Sequence, residues 1–188
     1  MSIINKLPNS VANQIAAGEV IQTRAGAWEV RIDTGHSDAQ ISLMDRQRNL
    51  FLSVDFLLPR ISPNISADIR NPDFDSLSHY FTYLDEMTSL PADMSIFPGH
   101  DWPFRGGGAR AASLIKHHHH RLRQLEDAAQ TQPLSVASAM DVLFGRAFGD
   151  HELYFASGEA RAHLTHLVAT GRFHKIQHDK GHDLYAPV

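Results

Sequence analysis

The sequence predicts an α/β chain: a small antiparallel sheet, then alternating helices and strands, then a helical C-terminal part. Three patterns carry this prediction. Residues 28–54 alternate between apolar and polar with the period of strands, residues 73–90 have apolar side chains three or four apart, and short strands recur near residues 95 and 180. With 188 residues, of which 43% are hydrophobic, the chain is long enough for one domain with its own core, or for a domain with a small appendage.

The N-terminal 22 residues carry a helix signal. Asn9 or Ser10 can cap the helix, apolar residues recur at helical spacing from Val11 to Ala16, and Gly18 lies near its expected end. After this segment the pattern changes to strands. Three segments alternate, and a turn at residues 45–48 joins the last two into a hairpin: WEVRID, AQISLMD and NLFLSVD.

Helices and short strands alternate in the rest of the chain. Pro59 ends the sheet, an amphipathic helix covers residues 73–90 and stops at Pro91, and MSIFPGHD forms a short strand. A glycine loop at 106–108, expected to be a flexible turn, precedes a helix at about 109–129. Two further helices between residues 135 and 171 and a final strand pair make a winged-helix-like C-terminal unit plausible.

Composition excludes several classes of function and site. The net charge of −4 and the lack of a lysine or arginine block give no footprint for nucleic acid or an anionic membrane. The sequence has no cysteine, so any metal must be bound by histidine and carboxylate. No apolar run is long enough to span a bilayer, and no signal-peptide pattern opens the sequence, so we expect a cytoplasmic protein.

Three side chains follow predicted strands: His36, Asp55 and His100. In layered folds the ends of strands gather at one rim, where binding sites are built. Imidazole and carboxylate are the ligands that zinc, manganese and iron accept, so a shared rim would make a metal site. A histidine beside a turn is, however, more often a capped or solvated group than a ligand.

Several motifs in order carry a resemblance to a known family: TGHSDAQISLMD, LFLSVDFLLP, FPGHDWPF and the helix LIKHHHHRLRQLEDA. From about Trp28 onward the chain resembles the second half of a metallo-β-lactamase-fold hydrolase, in the branch near glyoxalase II and related thioesterases and lactonases. The resemblance implies that His36 binds one metal, that Asp55 bridges two and is catalytic, and that His100 binds the second. The metal would be zinc, or manganese or iron. Where the family commonly has glycines, this chain has Val54 and Asp101.

The family's HxHxDH motif, carried by the first half of its αββα sandwich, is absent. The resemblance therefore implies half of that sandwich, with a metal that is bound weakly if at all. The segment LPNSVANQIAAGEVIQ resembles the first helix of MutL-type mismatch-repair ATPases, but it stops before that family's catalytic residues, so no ATPase activity is implied and Glu19 is only a helix residue. The predicted units are a leader at 1–22, the hydrolase half at 23–130 and the winged-helix-like extension at 131–188, joined as a chimera.

The histidine tetrad at 117–120 is predicted to lie on the surface of a native helix, where the i, i+3 pair His117 and His120 could bind stray metal. The histidines near the C-terminus, at 174, 178 and 182, are expected to be solvated.

Two functions remain open. One is a truncated metal-dependent hydrolase, whose parent acts on a small-molecule ester, thioester or lactone. The other is a non-catalytic remnant whose exposed sheet face drives self-association, and for this reason we expect a homo-oligomer. A nucleic-acid-binding winged helix has little support, because residues 135–188 hold more acidic than basic side chains.

Overall fold

The computed structural model describes residues 14–67, 70–177 and 181–188. These residues form seven strands and four helices, which are β1 (Val20–Thr23), β2 (Gly26–Asp33), β3 (Gln40–Asp45), β4 (Leu50–Val54), α1 (Ser76–Met87), β5 (Ser95–Pro98), α2 (Gly107–Ala129), α3 (Val136–Phe144), α4 (Asp150–Ala169), β6 (Phe173–Gln177) and β7 (Asp183–Pro187). Among them, no helix is both long and apolar enough to cross a membrane.

The main sheet has the strand order β1-β2-β3-β4-β5. Its first four strands pair antiparallel through short turns, whereas β4 and β5 pair in parallel. A parallel pair cannot be closed by a tight turn, so the chain crosses over between β4 and β5, and α1 lies in that crossover. The sequence predicted β2 to β5, α1 and α2 with boundaries within a few residues, and it predicted α3 and α4 only as two helices between residues 135 and 171.

The helices cover one face of the sheet. Cross-strand neighbours share a face, and the row Met44, Phe51 and Ile96 is fully buried against the helical layer. The helical side of this core comes from apolar positions two turns apart on each helix, which are Leu77 and Leu84 on α1 and Leu114 and Leu122 on α2. The buried Tyr80 hydroxyl donates to the Phe56 carbonyl oxygen (2.9 Å), so its polar atom is satisfied within the core.

The opposite face of the sheet is also apolar, yet it is only partly covered. Leu43 and Leu52 are half-buried cross-strand partners, and Phe97, the next residue in the row, is 40% exposed. On the neighbouring row Ile32 pairs with Ile41, which is 44% exposed. We call the surface formed by Ile32, Ile41, Leu43, Leu52 and Phe97 the open sheet face.

The start of α2 corrects one expectation. Residues 107 and 108 were predicted to form a flexible loop, but both glycines are buried in the first turn of α2. A Cβ on Gly108 would lie 2.5 Å from the Thr88 carbonyl oxygen, and one on Gly107 would clash with the Ile96 side chain. These glycines therefore allow α2 to pack closely on the end of α1 and on β5.

The C-terminal part is attached by backbone and side-chain contacts. The Ala67 N–H donates to the Gly158 carbonyl on α4 (3.1 Å), and Leu134 forms an antiparallel bridge with Tyr185. Asp75, which caps α1 by accepting from the Ser78 N–H (2.9 Å), also pairs with His166 on α4. The helices and the β6-β7 hairpin are present as predicted, while the winged-helix comparison stays a prediction.

The described part of the predicted N-terminal helix is not helical. Residues 14–19 have no helical structure, and the rest of that prediction lies outside the described residues. Glu19 is not helical, and its carbonyl accepts from the Val30 N–H on β2 (2.8 Å), so its assignment as a helix residue is wrong. Strand β1 was missed, and it spans the predicted boundary at residue 22. The MutL-like leader stays a prediction.

Strand β4 ends in an unusual backbone conformation. Val54 has φ = 45°, in the left-handed region that a β-branched residue rarely adopts, and the pairing with β5 shifts register between Leu52 and Val54. Such a conformation costs about 1–3 kcal/mol unless the residue is glycine. This backbone strain lies at the residue directly before Asp55.

We therefore expect Val54→Gly to raise the free energy of unfolding by about 1 kcal/mol, because relief of the strain exceeds the added flexibility of the unfolded chain. Urea unfolding followed by circular dichroism measures the change. Val54→Ala is the matched control: it removes the same methyl groups, keeps a Cβ, and should give no gain. A glycine variant less stable than the wild type would contradict this account.

Candidate metal centre

Strand direction places the three sequence-predicted residues at one edge of the sheet. Strands β2 and β4 both run antiparallel to β3, so they run in the same direction as each other, and β5 is parallel to β4. Their C-terminal ends therefore lie at the same edge. His36 follows β2, Asp55 follows β4 and His100 follows β5.

The Asp55 carboxylate lies between the two imidazoles. Its Oδ2 is 3.8 Å from His36 Nε2, and its Oδ1 is 3.6 Å from His100 Nε2. Each oxygen thus faces a different ring. The exposed fractions of the side chains are 25% for His36, 31% for Asp55 and 67% for His100, so the group opens to solvent on the His100 side.

A backbone hydrogen bond orients His36. Its Nδ1 is 2.9 Å from the Asn64 carbonyl oxygen. A carbonyl can only accept, so Nδ1 carries a proton, and Nε2 is the ring nitrogen that faces Asp55 and can bind a metal when the ring is neutral. The ring also meets Phe56 edge-on, with centroids 6.0 Å apart. Metal-binding histidines are commonly oriented in this way, by a carbonyl that accepts from the ring nitrogen not bound to the metal.

Glycines and left-handed residues shape the loops that carry these groups. A Cβ on Gly99 would clash with Asp55 Oδ1, so a glycine is required there for the carboxylate to occupy its position. Gly35 has φ = 136°, and a Cβ on it would lie 3.0 Å from the Tyr80 backbone nitrogen, so a glycine allows the turn before His36 to pack closely on α1. Asp101, after His100, has φ = 67° and pairs with Arg60 (2.6 Å). Val54 and Asp101 occupy positions where the resemblance implies glycine, and both have a backbone conformation that favours glycine.

The donor set and its spacing fit a divalent metal. Asp55 Oδ1 is buried and has no hydrogen-bond partner among the described residues, an arrangement that a bound cation would relieve. The ligand atoms of His36, Asp55 and His100 do not converge on one point. Among the described residues, one group of histidine and carboxylate side chains has all its ligand atoms within 4.8 Å of one another, and that group lies elsewhere in the chain. With one oxygen towards each of two separated imidazoles, the Asp55 carboxylate could contribute a ligand next to each of them.

A cleft of about 530 Å³ opens beside His36. Ser66, Phe74 and Tyr154 are among its lining residues, so α4 forms part of its wall. No sequence pattern signalled this contribution, since Tyr154 lies about 120 residues from His36 and is 63% exposed.

The histidine tetrad corrects a second expectation. The prediction that it lies on the helix surface is wrong for His118, which is fully buried and lies 3.1 Å from His163 on α4. The signal was present in the sequence, because His118 lies in the i, i+4 row between Leu114 and Leu122 that faces the core. His119 and His120 are exposed as predicted, and so is His174, whereas residue 178 lies outside the described residues.

Comparisons with known proteins identify the fold. Residues 122–188 match the model of the metallo-beta-lactamase-like C-terminal domain. A beta-lactamase domain protein from Burkholderia ambifaria is 30% identical with a TM-score of 0.92, and the match covers 99% of this chain and 55% of that chain. A metallo-beta-lactamase family protein from Thermus thermophilus is 23% identical with a TM-score of 0.80, and the match covers 100% of this chain and 60% of that one. No curated protein matches the sequence significantly.

The chain thus spans somewhat more than half the length of these two structural relatives. The resemblance to the glyoxalase II branch stays a prediction. The predicted α/β architecture is confirmed: the chain has the metallo-β-lactamase fold, and its C-terminal third matches the C-terminal domain of that class.

Proposed function

We propose that the chain supplies His36, Asp55 and His100 to a dinuclear metal centre of a hydrolase that acts on an ester, thioester or lactone. The observation that carries the proposal is the position of Asp55, with one carboxylate oxygen towards each imidazole. Zinc is the first candidate, and manganese or iron are alternatives that these ligands also accept. When bound, such metals lower the pKa of water towards neutrality and so supply a nucleophile.

The protein's own groups hold the donors in place. The Asn64 carbonyl fixes the tautomer of His36, and the close approach of Gly99 fixes Asp55. The mixed polar and apolar cleft beside His36 is the proposed seat for the substrate, with Phe74 and Tyr154 offering apolar surface to an acyl group.

The three donors are only part of a ligand set for two ions. A metal held by so few groups binds weakly, because closed coordination and hydrogen bonds that orient the ligands both contribute to affinity. We therefore propose that this chain alone holds an incomplete centre. A second copy or another polypeptide segment would have to supply the remaining ligands.

The expected result is hydrolysis of generic thioesters and lactones near background for the monomeric chain, even with added zinc or manganese. Activity is measured across protein concentration, together with metal binding, in the wild type, His36→Ala and Asp55→Ala. Each of these variants should lower metal binding at the rim at least ~10-fold. His174→Ala, which removes an exposed histidine on β6, is the control and should change nothing.

A turnover number per chain that rises with protein concentration would favour a site shared between copies. Metal-dependent turnover that is independent of concentration and lost in both rim variants would instead show a working site in one chain, contrary to the proposal of an incomplete centre.

The open sheet face favours a second candidate, non-catalytic self-association. Two of its five apolar residues, Ile41 and Phe97, are more than one-third exposed, and contiguous apolar surface of this kind on a monomer marks an interface. Burying such a face against a second copy would remove it from water and yield a symmetric dimer.

We expect Ile41→Glu to shift the protein from dimer to monomer, because the new carboxylate would be buried without a partner at that interface. Analytical ultracentrifugation over a range of concentrations measures the shift. Ile176→Glu is the matched control, since Ile176 is 38% exposed on β6, away from the open sheet face. A wild type that stays monomeric at high concentration would eliminate this candidate.

A further inference from the structure

A cluster of polar side chains is buried between α2 and α4. His117, His118 and Arg121 come from α2, and Glu159 and His163 come from α4. His118 and His163 are fully buried and Glu159 is 8% exposed. These residues lie in the helical layer and make no contact with the rim group of His36, Asp55 and His100 in the described interactions.

Hydrogen bonds fix which nitrogen of His118 is free. His163 Nδ1 lies 2.8 Å from the Glu159 carbonyl oxygen, which can only accept, so this nitrogen carries the proton. Both rings lie in the interior, where burial disfavours the charged imidazolium, so each ring carries a single N–H. His163 Nε2 therefore accepts from His118 Nδ1 (3.1 Å). The lone pair of His118 consequently lies on Nε2.

That lone pair has no partner among the described residues. Nε2 of His117 likewise has no hydrogen-bond partner there, and both Nε2 atoms are inaccessible to solvent. Buried polar atoms are almost always paired, so two unpaired imidazole nitrogens on adjacent residues call for an explanation. Ligand atoms of His117, His118 and Glu159 all lie within 4.8 Å of one another. The three side chains thus converge on one point.

We propose that His117, His118 and Glu159 bind a divalent transition metal, with Zn²⁺ as the best fit. Two imidazoles and one carboxylate are the donor set of many zinc sites. Neighbouring ligand atoms of a tetrahedral zinc lie roughly 3.3 Å apart, as follows from bond lengths of about 2.0–2.1 Å. The ligand atoms here lie within 4.8 Å of one another, so each pair would have to approach by about 1.5 Å at most. His163 supports the site from outside the ligand set, because it accepts from His118 Nδ1 and so orients that ring.

Arg121 forms an ion pair with the Glu159 carboxylate when no metal is bound. Its guanidinium pairs with Glu159 and lies over the Phe144 ring, with its carbon 4.8 Å from the ring centroid. The aromatic ring gives the guanidinium a second contact, so it has a place to remain when Glu159 turns towards a metal. A metal at this site would link α2 to α4. Because α4 also forms part of the wall of the cleft beside His36, the metal would help to hold that wall in place.

The test uses the full chain carrying His36→Ala, Asp55→Ala and His100→Ala, so that the rim cannot bind metal. The protein is purified without a metal column, stripped with a chelator and titrated with Zn²⁺ against a chromophoric chelator. We expect one equivalent of zinc to bind and to raise the melting temperature. In this background, His117→Ala and Glu159→Gln should each weaken binding at least ~10-fold.

His120→Ala is the matched control, because His120 is the exposed neighbour that could form a surface pair with His117. It should leave zinc affinity unchanged. Circular dichroism establishes that each variant is folded. His117 is only half-buried, so His117→Ala should disturb the core less than Glu159→Gln does. No bound zinc in the rim-deficient background would overturn the proposal. Binding that is lost in His120→Ala but retained in Glu159→Gln would overturn it too, because it would place the metal on the helix surface.

Discussion

The direction of β4 is the constraint on which the site depends. Because β4 is antiparallel to β3 and parallel to β5, the chain must cross over after Asp55, and α1 occupies that crossover. The same arrangement makes β2, β4 and β5 end at one edge. Residues that are far apart in the sequence therefore meet there, and the helical layer that buries Met44, Phe51 and Ile96 holds this edge in place.

The backbone at this edge of the sheet adopts conformations that cost free energy. Val54 and Asp101 flank the site in left-handed conformations, and Gly99 leaves no room for a Cβ beside Asp55. Asp101 tolerates this conformation better than a β-branched residue does, and its ion pair with Arg60 further offsets the cost. Strain at such positions is characteristic of functional sites, where the surrounding structure holds a side chain in a geometry that the local sequence does not favour.

Much of the fold and the candidate centre could be predicted from the sequence, because they rest on local signals. The period-two alternation of β2, β3 and β4, the helical spacing in α1, and the strand ends at His36, Asp55 and His100 all lie in short segments. Strand β1 was missed because it is a short strand at the sheet edge with mostly exposed residues, so its segment VIQT shows no alternation of apolar and polar residues. The wall formed by Tyr154 depends on how α4 docks, which no local pattern encodes.

The histidines show why residue type alone does not assign a role. At the rim, His36 is oriented by a carbonyl and faces a carboxylate across 3.8 Å, and solvent reaches the group. In the helical layer, His118 is oriented by a second histidine and is sealed from solvent. Burial removes water as an alternative partner, so an unpaired nitrogen in the interior costs more than one at the rim. Each group therefore has a buried polar atom that a ligand would satisfy, Asp55 Oδ1 at the rim and Nε2 of His118 in the helical layer, although only the rim has a recognisable sequence motif.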